Sequence, residues 1–589
     1  MILVFGGTTE GRMAAKVLDE SGAAYWYSTR GELQDIQLAH GIRLTGGMEV
    51  NEMDVFCRKH EIRLLVDATH PFAEALHRNV VELASRIAVP IIRYERIYPP
   101  RDNDIVWCKN YTDAIGQLEK YSIDKLLALT GVNTIAKLRP YWQKHECWFR
   151  ILNREESLAK AQADGFPVDH LVYYEQDDTT SLIEQLHPQA ILTKESGTSG
   201  GYIGKIEAAR VAGVKAFVAM RPDYPSMPYV TIEHVNGPHG LRRAVERLLP
   251  DFFPLHSGLT TGTCATAAAI AATQRLLTGE TPKEVPVILP DGETIHVAVQ
   301  YGDGYASVFK QSGDDPDVTN GIEIRASVAK SDTFEIHGGE GVGRFTVPGF
   351  DYPPGEPAIN KAPRQMMRDN IHERVRITIG VPDGAAIARR TFNPRLGIEG
   401  GISIIGVSGI VKPFSEEAFV ASIRKCMQVA KATGSDRVVI NSGGKSERFV
   451  KALYPDLPQQ AFVEYGNYIG ETLAIANELG IKNVTLGVML GKAVKLAAGH
   501  LDTHSRHTIM DKAFISQMLH EAGIDLDLSD LTLARELWDR IPQDKLQDFA
   551  SVVITHCAHY CTPLLQGGHL TLLLITDTGT IYSNNKDNK

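Results

Sequence analysis

Residues 1–30 read MILVFGGTTEGRMAAKVLDESGAAYWYSTR, and this stretch decides the fold class of the first half of the chain. The apolar run from Met1 to Phe5 is too short for a helix and leads directly into a glycine turn. Helical spacing then continues to Gly22, a residue typical of a C-terminal cap, and a second strand follows. The stretch therefore predicts a strand–turn–helix–strand unit whose turn presents backbone N–H groups that attract phosphate.

The same order of strand, polar turn and helix recurs along the first half. The later turns read DATHPFA from residue 67, TGV from 130 and TKESGTSGG from 193. Repeated alternation predicts a parallel sheet with ligand groups at the carboxyl ends of its strands. The spacing of GGTTEGR differs from the standard G-x-G-x-x-G. Taken alone, that turn fits either a nucleotide site or a tight turn in a flavodoxin-like sheet.

Taken in order, these four motifs resemble the precorrin-6A reductase family over nearly all of residues 1–245. The resemblance implies two doubly wound α/β lobes with a cleft between them, and a nicotinamide cofactor that donates hydride to a corrinoid double bond. By position, it implies cofactor contacts from Gly6, Gly7, Thr8, Gly11, Arg12 and Thr69. It also implies substrate contacts from Asp67, Lys194 and Ser196. Glu195 stands where family members often carry Asn or Asp.

Two questions about the reductase chemistry stay open at this point. His70 is the candidate catalytic proton donor, because its free pKa suits acid–base work near neutrality. Its alternative roles are to orient the loop or to bind a substrate carboxylate. For the cofactor, Ser28 and Arg30, followed by Glu32, favour the 2′-phosphate of NADPH. Resemblance to the cobalt-dependent branch of the family favours NADH instead.

Composition excludes several classes of protein. A chain of 589 residues is too long for one core and predicts several domains. Its net charge of −10 argues against nucleic-acid binding, although a local cluster of Arg and Lys can still bind a small anion. No apolar run is long enough for a membrane span. Seven scattered cysteines without disulfide spacing indicate a reducing, cytoplasmic location. Nothing indicates an oligomeric state.

A joint rich in proline separates residues 1–250 from a second segment, 251–589. From Ser257 the second segment reads SGLTTGTCATAAAIAA, a small-residue turn that leads into an Ala-rich helix. Threonines ahead of a helix can present hydroxyl and N–H donors to an anion. We therefore expect Thr260, Thr261 and Thr263 to bind substrate.

Two clusters in this segment raise the question of a metal. The loop GDDPDVTNG places three acids in a short stretch, which suggests a divalent cation. It lacks the EF-hand pattern, however, and fits better as a polar binding edge that includes Asp314 and Asp315. A second cluster, His556–Cys557 with His559 and Cys561, could bind zinc or cobalt, but its spacing favours a buried helix or strand end. We predict no metal site.

Between residues 338 and 369, Gly and Pro are so frequent that we expect ordered loop rather than helix or regular strand. This stretch ends on Arg364 and Arg368, which face one way if they are helical. The last third returns to strand and helix, with the turns NSGGKSER from 441 and GVMLGK from 487. Neither turn has the full Walker pattern, so we reject an NTPase.

The motifs TTGTC, SGDDPDVTNG, GEGVGRFT, PPGEPAIN, NPRLGI and LDTHSR resemble the cobalt-precorrin-5B methyltransferase family, in order from about 257 to 510. The resemblance implies S-adenosyl-L-methionine as methyl donor and carbon 1 of a cobalt macrocycle as acceptor. The substrate carries many carboxylates, so Arg364, Arg368 and Arg395 are expected clamps. Asp315 is the expected catalytic residue. Because α/β sheets bind ligands at the turn between a strand and the following helix, Gly443 and Gly444 are expected to bind the donor.

The sequence thus predicts an α/β chain with N-terminal doubly wound parallel-sheet lobes. They are followed by a mixed α+β and α/β methyltransferase unit unlike the usual tetrapyrrole methylase fold. The expected function is bifunctional corrin assembly, in which the methyltransferase product, cobalt-precorrin-6A, is the reductase substrate. One alternative is a short-chain-type reductase fused to an unrelated methyltransferase. Another is a cobalt-tetrapyrrole carrier without catalysis.

Overall fold

The computed structural model describes residues 1–31, 35–175, 179–505 and 508–584. It divides into two compact units. The first comprises Met1–Ser257 and Pro286–His296, and the second comprises Gly258–Val285 and Val297–Lys589. Glu32 and the last residue of the LDTHSR motif, Arg506, lie outside the described residues.

The strands of the first unit are β1 (Ile2–Phe5), β2 (Tyr25–Thr29), β3 (Gly41–Thr45), β4 (Leu64–Asp67), β5 (Ile91–Tyr94), β6 (Val106–Cys108), β7 (Lys125–Ala128), β8 (Glu146–Ile151), β9 (Leu171–Tyr173), β10 (Ala190–Lys194), β11 (Lys215–Ala219) and β12 (Ile232–Val235). The helices are α1 (Thr9–Asp19), α2 (Val50–Lys59), α3 (Glu74–Ile87), α4 (Tyr111–Lys120), α5 (Arg139–Trp142), α6 (Glu155–Ala163), α7 (Thr179–Leu186), α8 (Tyr202–Val211) and α9 (Pro238–Leu248).

The strands of the first unit form two parallel sheets. Their orders over the described residues are β12-β5-β4-β1-β2-β3 and β6-β11-β10-β7-β8-β9. Every neighbouring pair is parallel. Strands β1, β4 and β5 are buried along their whole length, which explains why they are apolar apart from Asp67 in β4 and Arg93 in β5. The predicted doubly wound lobes are confirmed.

The direction of strand order reverses between β1 and β4 in the first sheet and between β7 and β10 in the second, where β6 is added at the edge beside β11. Open α/β sheets bind ligands at the carboxyl ends of the strands beside such a reversal. The four strands that flank the two reversals lead into GGTTEGR, DATHPFA, TGV and TKESGTSGG. All four predicted turns therefore lie at switch points.

From Gly258 onward, the strands are β13 (Gly258–Leu259), β14 (Glu284–Ile288), β15 (Thr294–Ala298), β16 (Gln300–Gly302), β17 (Tyr305–Phe309), β18 (Glu323–Lys330), β19 (Glu335–Gly338), β20 (Arg344–Phe345), β21 (Val375–Gly380), β22 (Ile398–Glu399), β23 (Ile410–Val411), β24 (Val438–Asn441), β25 (Phe462–Glu464), β26 (Asn483–Met489), β27 (His569–Ile575) and β28 (Ile581–Ser583). The helices are α10 (Thr261–Thr278), α11 (Lys361–Asn370), α12 (Gly384–Ala388), α13 (Asn393–Leu396), α14 (Glu416–Ala432), α15 (Gly444–Leu453), α16 (Ile469–Glu478), α17 (Leu490–Ala497), α18 (Lys512–Glu521), α19 (Leu537–Arg540) and α20 (Leu546–Cys561).

The earlier part of the second unit is built on a mixed sheet of order β16-β17-β18-β21-β19. The Ala-rich helix α10 packs on β17 and β18 and is buried over most of its length, because its small side chains allow close approach. The expectation of loop alone between 338 and 369 is wrong, since this stretch contains β20 and most of α11. Pro363 falls in the first turn of α11, where a missing N–H breaks no intrahelical hydrogen bond.

The later part of the second unit contains a sheet of order β25-β24-β26-β27-β28. Its first four strands are parallel, and β28 is antiparallel to β27. Here too the order reverses, between β24 and β26. The predicted mixture of α+β and α/β architecture is confirmed. Across the residues that the structure describes, no helix combines the length and apolar character needed to cross a membrane.

Candidate active sites

The first candidate site is built around the turn between β1 and α1. Thr8 caps the helix: its Oγ1 accepts a hydrogen bond from the Gly11 N–H at 3.0 Å and donates one to the Ala68 carbonyl at 2.6 Å. The turn is thereby tied to the loop after β4. Gly7 has φ +93°, and a Cβ there would meet nothing within 4 Å. Its backbone therefore faces open space in a conformation that glycine adopts readily.

The other two glycines of this turn have packing reasons of their own. A side chain at Gly6 would collide with the ring of Tyr27 on β2. A Cβ at Gly11 would lie 2.6 Å from the Tyr27 hydroxyl and 2.9 Å from the Gly6 Cα. Gly6 and Gly11 thus allow α1 to approach β1 and β2 closely. A direct contact with a cofactor stays a prediction for both.

The other predicted cofactor residues lie around this turn at different depths. Arg12 is exposed, and its Nη2 donates to Thr9 Oγ1 at 3.2 Å. Ser28 is buried at the end of β2, and its carbonyl accepts the Gly6 N–H at 2.9 Å. Arg30 is exposed just beyond that strand. Of these side chains, Arg12 and Arg30 are therefore open to a ligand.

Two buried charges that sequence reasoning missed join the two lobes of the first unit. Glu10, in the first turn of α1, pairs with Arg96 at 3.1 Å and also accepts a hydrogen bond from the Ser199 hydroxyl. Arg96 donates in turn to the Ser196 carbonyl at 2.7 Å. The loops after β1 and β10 are thus held together. Predicted Ser196 contributes its carbonyl to this link, while its hydroxyl donates to Gly200.

Asp67 lies fully buried beneath the loop after β4. Its carboxylate accepts hydrogen bonds from the Thr69 hydroxyl at 2.6 Å, from Arg93 at 3.0 Å and from the Tyr224 hydroxyl at 2.8 Å. Burial opposes ionisation, but the charges of Arg93 and His77 and the bonds from Thr69 hold the pKa of Asp67 below its usual value. The structure places Asp67 and Thr69 in a network that orients the loop. Substrate or cofactor contact stays a prediction for them.

His70 follows in the same loop. Its Nδ1 accepts the Phe72 N–H at 3.1 Å, which leaves Nε2 to carry the proton. Burial, and then the nearby charges of Arg96 and Lys194, together lower the pKa of His70 to about 3. The imidazole is therefore neutral near pH 7. This geometry favours the orienting or ligand-binding alternatives over the role of proton donor.

Two lysines of the second lobe, one on β10 and one on α8, face the same region. Lys194, the last residue of β10, places its Nζ 5.3 Å from the centroid of the Phe72 ring. Burial, and then the charge of Lys137, lower the pKa of Lys194 to about 8. Burial lowers the pKa of Lys205 on α8 to about 8 as well, and its Nζ donates to the Gly200 carbonyl at 3.1 Å. Within the described ranges, neither lysine forms an ion pair.

Glu195, the unusual residue of this loop, is buried between two arginines. Its carboxylate pairs with Arg101 at 3.0 Å and with Arg221 at 3.1 Å. Its charge is therefore already compensated within the protein and does not offset that of Lys194. The first site consequently combines an open glycine turn with two half-buried lysines that lack a carboxylate partner in the described chain.

In the second unit, the hydroxyls of the three threonines at the start of α10 form hydrogen bonds with the protein backbone. Thr260 Oγ1 accepts the Thr263 N–H at 3.2 Å, and Thr263 Oγ1 donates to the Gly409 carbonyl at 2.6 Å. Thr261 Oγ1 donates to the Ser403 carbonyl at 3.2 Å. All three are buried and attach the start of α10 to the 403–409 loop. Their substrate contacts stay predictions.

The acidic loop begins beside this turn, because the Leu259 N–H donates to the Gln311 carbonyl at 2.7 Å. Inside the loop, the Asp317 carboxylate forms an ion pair with the buried Lys310 at 2.6 Å. Asp315 is half-buried, and its Oδ1 accepts the Phe414 N–H at 3.1 Å. Asp314 is exposed. The structure therefore places the turn and the loop next to each other, while substrate contact stays a prediction for both.

The His and Cys residues of the second metal candidate lie on helix α20. Cys557 and Cys561 are buried in the core, and the Cys557 thiol donates to the Ala493 carbonyl. His556 points elsewhere and pairs with Glu521 at 2.7 Å. The cluster is thus split between two faces of one helix.

The predicted arginine clamps of the second unit have different surroundings. Arg364 is half-buried and pairs with Glu356 at 3.2 Å, while Arg368 is exposed with its guanidinium 5.3 Å from the Phe334 ring centroid. Arg395 pairs with Glu447 at 2.9 Å and with Glu464 at 3.2 Å. Only Arg368 is therefore without a carboxylate partner among these three described side chains.

The turn after β24 carries the predicted donor residues. Gly443 and Gly444 have φ values of +83° and +49°, and the Gly443 N–H donates to Asn441 Oδ1 at 2.8 Å. The turn after β26, also a candidate, adjoins the loop after β25, because Lys492 Nζ donates to the Gly466 carbonyl. Donor binding at these turns stays a prediction.

Comparison with known proteins gives a consistent answer for both parts of the chain. Residues 1–237 match the family described as precorrin-6x reductase CbiJ/CobK, and residues 251–413 match the CbiD family. The cobalt-precorrin-5B C(1)-methyltransferase of Prosthecochloris aestuarii is 40% identical over 346 residues, which cover 55% of this chain and 94% of that protein.

Two solved structures also resemble parts of the chain. The cobalamin biosynthesis protein cbiD from Archaeoglobus fulgidus is 31% identical, with 43% of this chain and 83% of that chain covered and a TM-score of 0.26. A CobK precorrin-6A reductase is 20% identical, with 42% of this chain and 97% of that chain covered and a TM-score of 0.35. Both resemblances drawn from the sequence motifs are confirmed by the family matches. The chain belongs to the cobalt-precorrin-5B C(1)-methyltransferase family, and it carries ahead of that region a segment of the precorrin-6x reductase CbiJ/CobK family.

Proposed function

We propose that this protein is a bifunctional enzyme of cobalamin biosynthesis that performs two successive reactions on a cobalt-corrinoid. The second unit methylates cobalt-precorrin-5B at carbon 1 and yields cobalt-precorrin-6A. The first unit then reduces cobalt-precorrin-6A to cobalt-precorrin-6B. The observation that carries this proposal is the match of one continuous chain to both families, with the product of one reaction being the substrate of the other.

For the reductase, NADH or NADPH is the proposed cofactor, bound at the turn after β1. The open backbone at Gly7 and the N-terminus of α1 fit a pyrophosphate there. When bound, the nicotinamide supplies the hydride that adds to one carbon of the reduced double bond. A proton must reach the neighbouring carbon. The neutral imidazole of His70 can donate a hydrogen bond from Nε2 to hold the substrate at this point.

The half-buried lysines of this site, Lys194 and Lys205, support an acidic substrate. Burying a charge without a partner costs free energy, and a bound carboxylate offsets that cost. Lys194 and Lys205 are such charges, and a corrinoid substrate carries many carboxylates. We therefore assign both lysines to carboxylate binding. Within the residues described, each has the donors needed and no acid that competes for them.

For the methyltransferase, S-adenosyl-L-methionine is the proposed donor, bound near Gly443 and Gly444. A sulfonium donor is already activated, so alignment of the two reactants and exclusion of water supply much of the catalysis. Asp314, Asp315 and the exposed Arg368 are the polar side chains that we assign to the acceptor. The seven cysteines, all within the described chain, are free thiols, which fits a reducing compartment such as the cytoplasm.

The test is a reconstitution with the full chain. Purified protein is supplied with cobalt-precorrin-5B, S-adenosyl-L-methionine labelled in its methyl group, and NADH or NADPH, and the products are followed by mass spectrometry. One labelled methyl group followed by a gain of two hydrogens is expected. Absence of methyl transfer, or failure to reduce supplied cobalt-precorrin-6A with either nucleotide, would contradict the corresponding half of the proposal. Arg30→Ala then reports on the choice of cofactor, because it should weaken NADPH more than NADH.

A further inference from the structure

Residues 402–414 form hydrogen bonds with five of the six motifs that resemble the methyltransferase family. Two of those motifs bond to the backbone at the start of this segment. The Ile402 N–H donates to the carbonyl of Gly341 in GEGVGRFT at 3.0 Å. The Ile404 N–H donates to the carbonyl of Ala358 in PPGEPAIN at 2.8 Å. Both isoleucines are buried, so the start of the segment is fixed within the fold.

The other three motifs bond to Ser403 and to Phe414. The Thr261 hydroxyl of TTGTC donates to the Ser403 carbonyl at 3.2 Å. The Ser403 hydroxyl donates to Asn393 Oδ1 of NPRLGI at 3.1 Å. At the other end of the segment, the Phe414 N–H donates to Asp315 Oδ1 of SGDDPDVTNG at 3.1 Å. Motifs that are far apart in the chain therefore fix the backbone of one short segment.

Three apolar side chains of this fixed segment face solvent. Ile405 is 46% exposed, Val407 is 83% exposed and Phe414 is 61% exposed. Gly406 has φ +141°, and a side chain there would collide with Thr260. The chain therefore passes directly over the start of α10, with Ile405 and Val407 outward. Because the backbone is already fixed, covering these side chains with a ligand would cost little further conformational entropy.

Phe414 is held in a strained backbone conformation. Its φ of +53° lies in the left-handed region, which glycine adopts readily and which is unfavourable for a bulky residue. The hydrogen bond from its N–H to Asp315 holds the chain there. Glycine would satisfy the backbone at this point without strain, so phenylalanine keeps an exposed ring against the preference of its backbone. Strain of this kind is concentrated at sites that bind ligands or catalyse reactions.

Two exposed lysines accompany the apolar side chains. Lys412 lies within the segment, two positions before Phe414. Lys361 begins α11 directly after Asn360, whose N–H donates to the Ile404 carbonyl at 3.0 Å. The segment thus combines exposed apolar side chains with positive charges nearby. This combination fits a flat ligand that has apolar faces and a rim of carboxylates.

We propose that residues 402–414 form the surface on which the cobalt-corrinoid acceptor lies, with Ile405, Val407 and Phe414 against the face of the macrocycle. Asp315 is a positioning residue, which serves the acceptor through Phe414 and takes no part at the reacting carbon. This assignment rests on the proposed methyltransferase function and adds the residues that recognise the acceptor.

The first test is methyl-transfer kinetics of the full chain with cobalt-precorrin-5B. Val407→Ser and Phe414→Gly should each raise the KM for this acceptor roughly 10-fold, because an apolar side chain no longer covers the macrocycle. The KM for S-adenosyl-L-methionine should stay unchanged. Phe414→Gly should also change the melting temperature little, since glycine adopts the left-handed conformation without strain. Leu277→Ser is the matched control, because Leu277 is 48% exposed at the far end of α10 and should not affect either KM.

The second test separates a positioning role of Asp315 from a catalytic one. Asp315→Asn keeps an oxygen that can accept the Phe414 N–H, so methylation should remain close to that of the wild type. Asp315→Ala removes the acceptor of that bond and should raise the KM for cobalt-precorrin-5B. The double variant with Phe414→Gly should be no more impaired than Phe414→Gly alone, because both changes remove the same contact.

The outcomes distinguish this inference from the proposed function. An unchanged KM for cobalt-precorrin-5B in Val407→Ser and Phe414→Gly, with methyl transfer intact in the wild type, would overturn the inference alone. Asp315→Asn that is as impaired as Asp315→Ala would show that the carboxylate itself acts and would overturn the positioning role. Variants with normal kinetics but an altered oligomeric state in size-exclusion chromatography would assign the segment to an interface between copies and overturn the inference. Absence of methyl transfer in the wild type would overturn the proposed function with it.

Discussion

Replacement of Lys194 by methionine should make the ligand-free protein more stable while it impairs the reductase. Methionine has a similar length and no charge, so the change removes the half-buried cation without leaving a large cavity. Lys194 has a pKa lowered from 10.5 to about 8, chiefly by burial. No carboxylate within the described chain pairs with it. The unpaired charge of Lys194 therefore lowers the stability of the folded protein until an anion binds beside it.

The size of the stability gain in Lys194→Met follows from the pKa of Lys194. Each pKa unit corresponds to about 1.4 kcal/mol, so the full decrease sets an upper limit of about 3 kcal/mol on the cost at neutral pH. Because the side chain keeps some exposure to solvent, we expect a gain of roughly 1–2 kcal/mol. Above pH 8 the folded wild type begins to lose the proton, and the cost is gone by about pH 10.5. The advantage of Lys194→Met should therefore shrink across this range.

Urea unfolding followed by tryptophan fluorescence is a suitable assay. The first unit contains Trp26, Trp107, Trp142 and Trp148, four of the five tryptophans of the chain, so the signal reports mainly on that unit. Reduction of cobalt-precorrin-6A should fall about 10- to 100-fold in kcat/KM, because one charge-assisted contact to the substrate is lost.

The control for this prediction is Lys120→Met, at an exposed position at the end of α4. It should change stability by no more than about 0.5 kcal/mol and leave reduction intact. A Lys194→Met protein that is less stable than wild type at pH 7 would refute the reasoning. So would a stability difference that does not change between pH 7 and pH 10.

Three further predictions concern the turn after β1, the acidic loop and the histidine of the cleft. Gly11→Ala should lower the stability of the first unit by about 1–3 kcal/mol in urea titrations, because its Cβ would lie 2.6 Å from the Tyr27 hydroxyl. Tyr27→Phe in the same chain should recover part of that loss, and Gly116→Ala, with open space around its Cβ, should not destabilise. Asp315→Ala should sharply reduce methylation of cobalt-precorrin-5B with little change in melting temperature and normal reductase activity; a destabilised but active variant would remove this loop from the site. His70→Gln should leave the shape of the reductase pH profile between pH 5 and 8 unchanged, since His70, with a pKa of about 3, does not titrate there. If the wild-type rate changes with pH around 6.5 and the rate of the variant does not, this prediction is contradicted.

The positions of the ligand-binding turns were predictable because they depend on local signals. A short apolar run followed by a polar turn marks the end of a parallel strand, and four such turns proved to flank the two switch points of the first unit. Helix α11 was missed because the Gly and Pro that precede it dominated the stretch, although Pro363 is compatible with a first helical turn.

The hydrogen-bond and ion-pair partners of the polar side chains at those turns were not predictable, because those partners are distant in sequence. Glu10 and Arg96 are separated by 86 positions, and no local pattern indicates that they pair. The three threonines at the start of α10 have the residue types of a binding turn, yet their hydroxyls form hydrogen bonds with backbone groups more than 100 positions away or within their own turn. Whether a hydroxyl is available to a ligand depends on tertiary contacts that sequence spacing does not contain.

The strand β12 has a consequence for how the chain acquires its structure during synthesis. It pairs with β5, yet the whole second sheet of the first unit lies between them in the chain. Until that sheet has left the ribosome, the first sheet lacks both its edge strand and helix α9, and β5 exposes unpaired backbone groups. A pairing over such a long separation forms late and slowly. The nascent chain therefore passes through a stage in which an open sheet edge is vulnerable to aggregation, and expression at lower temperature or with chaperones should favour the yield of folded protein.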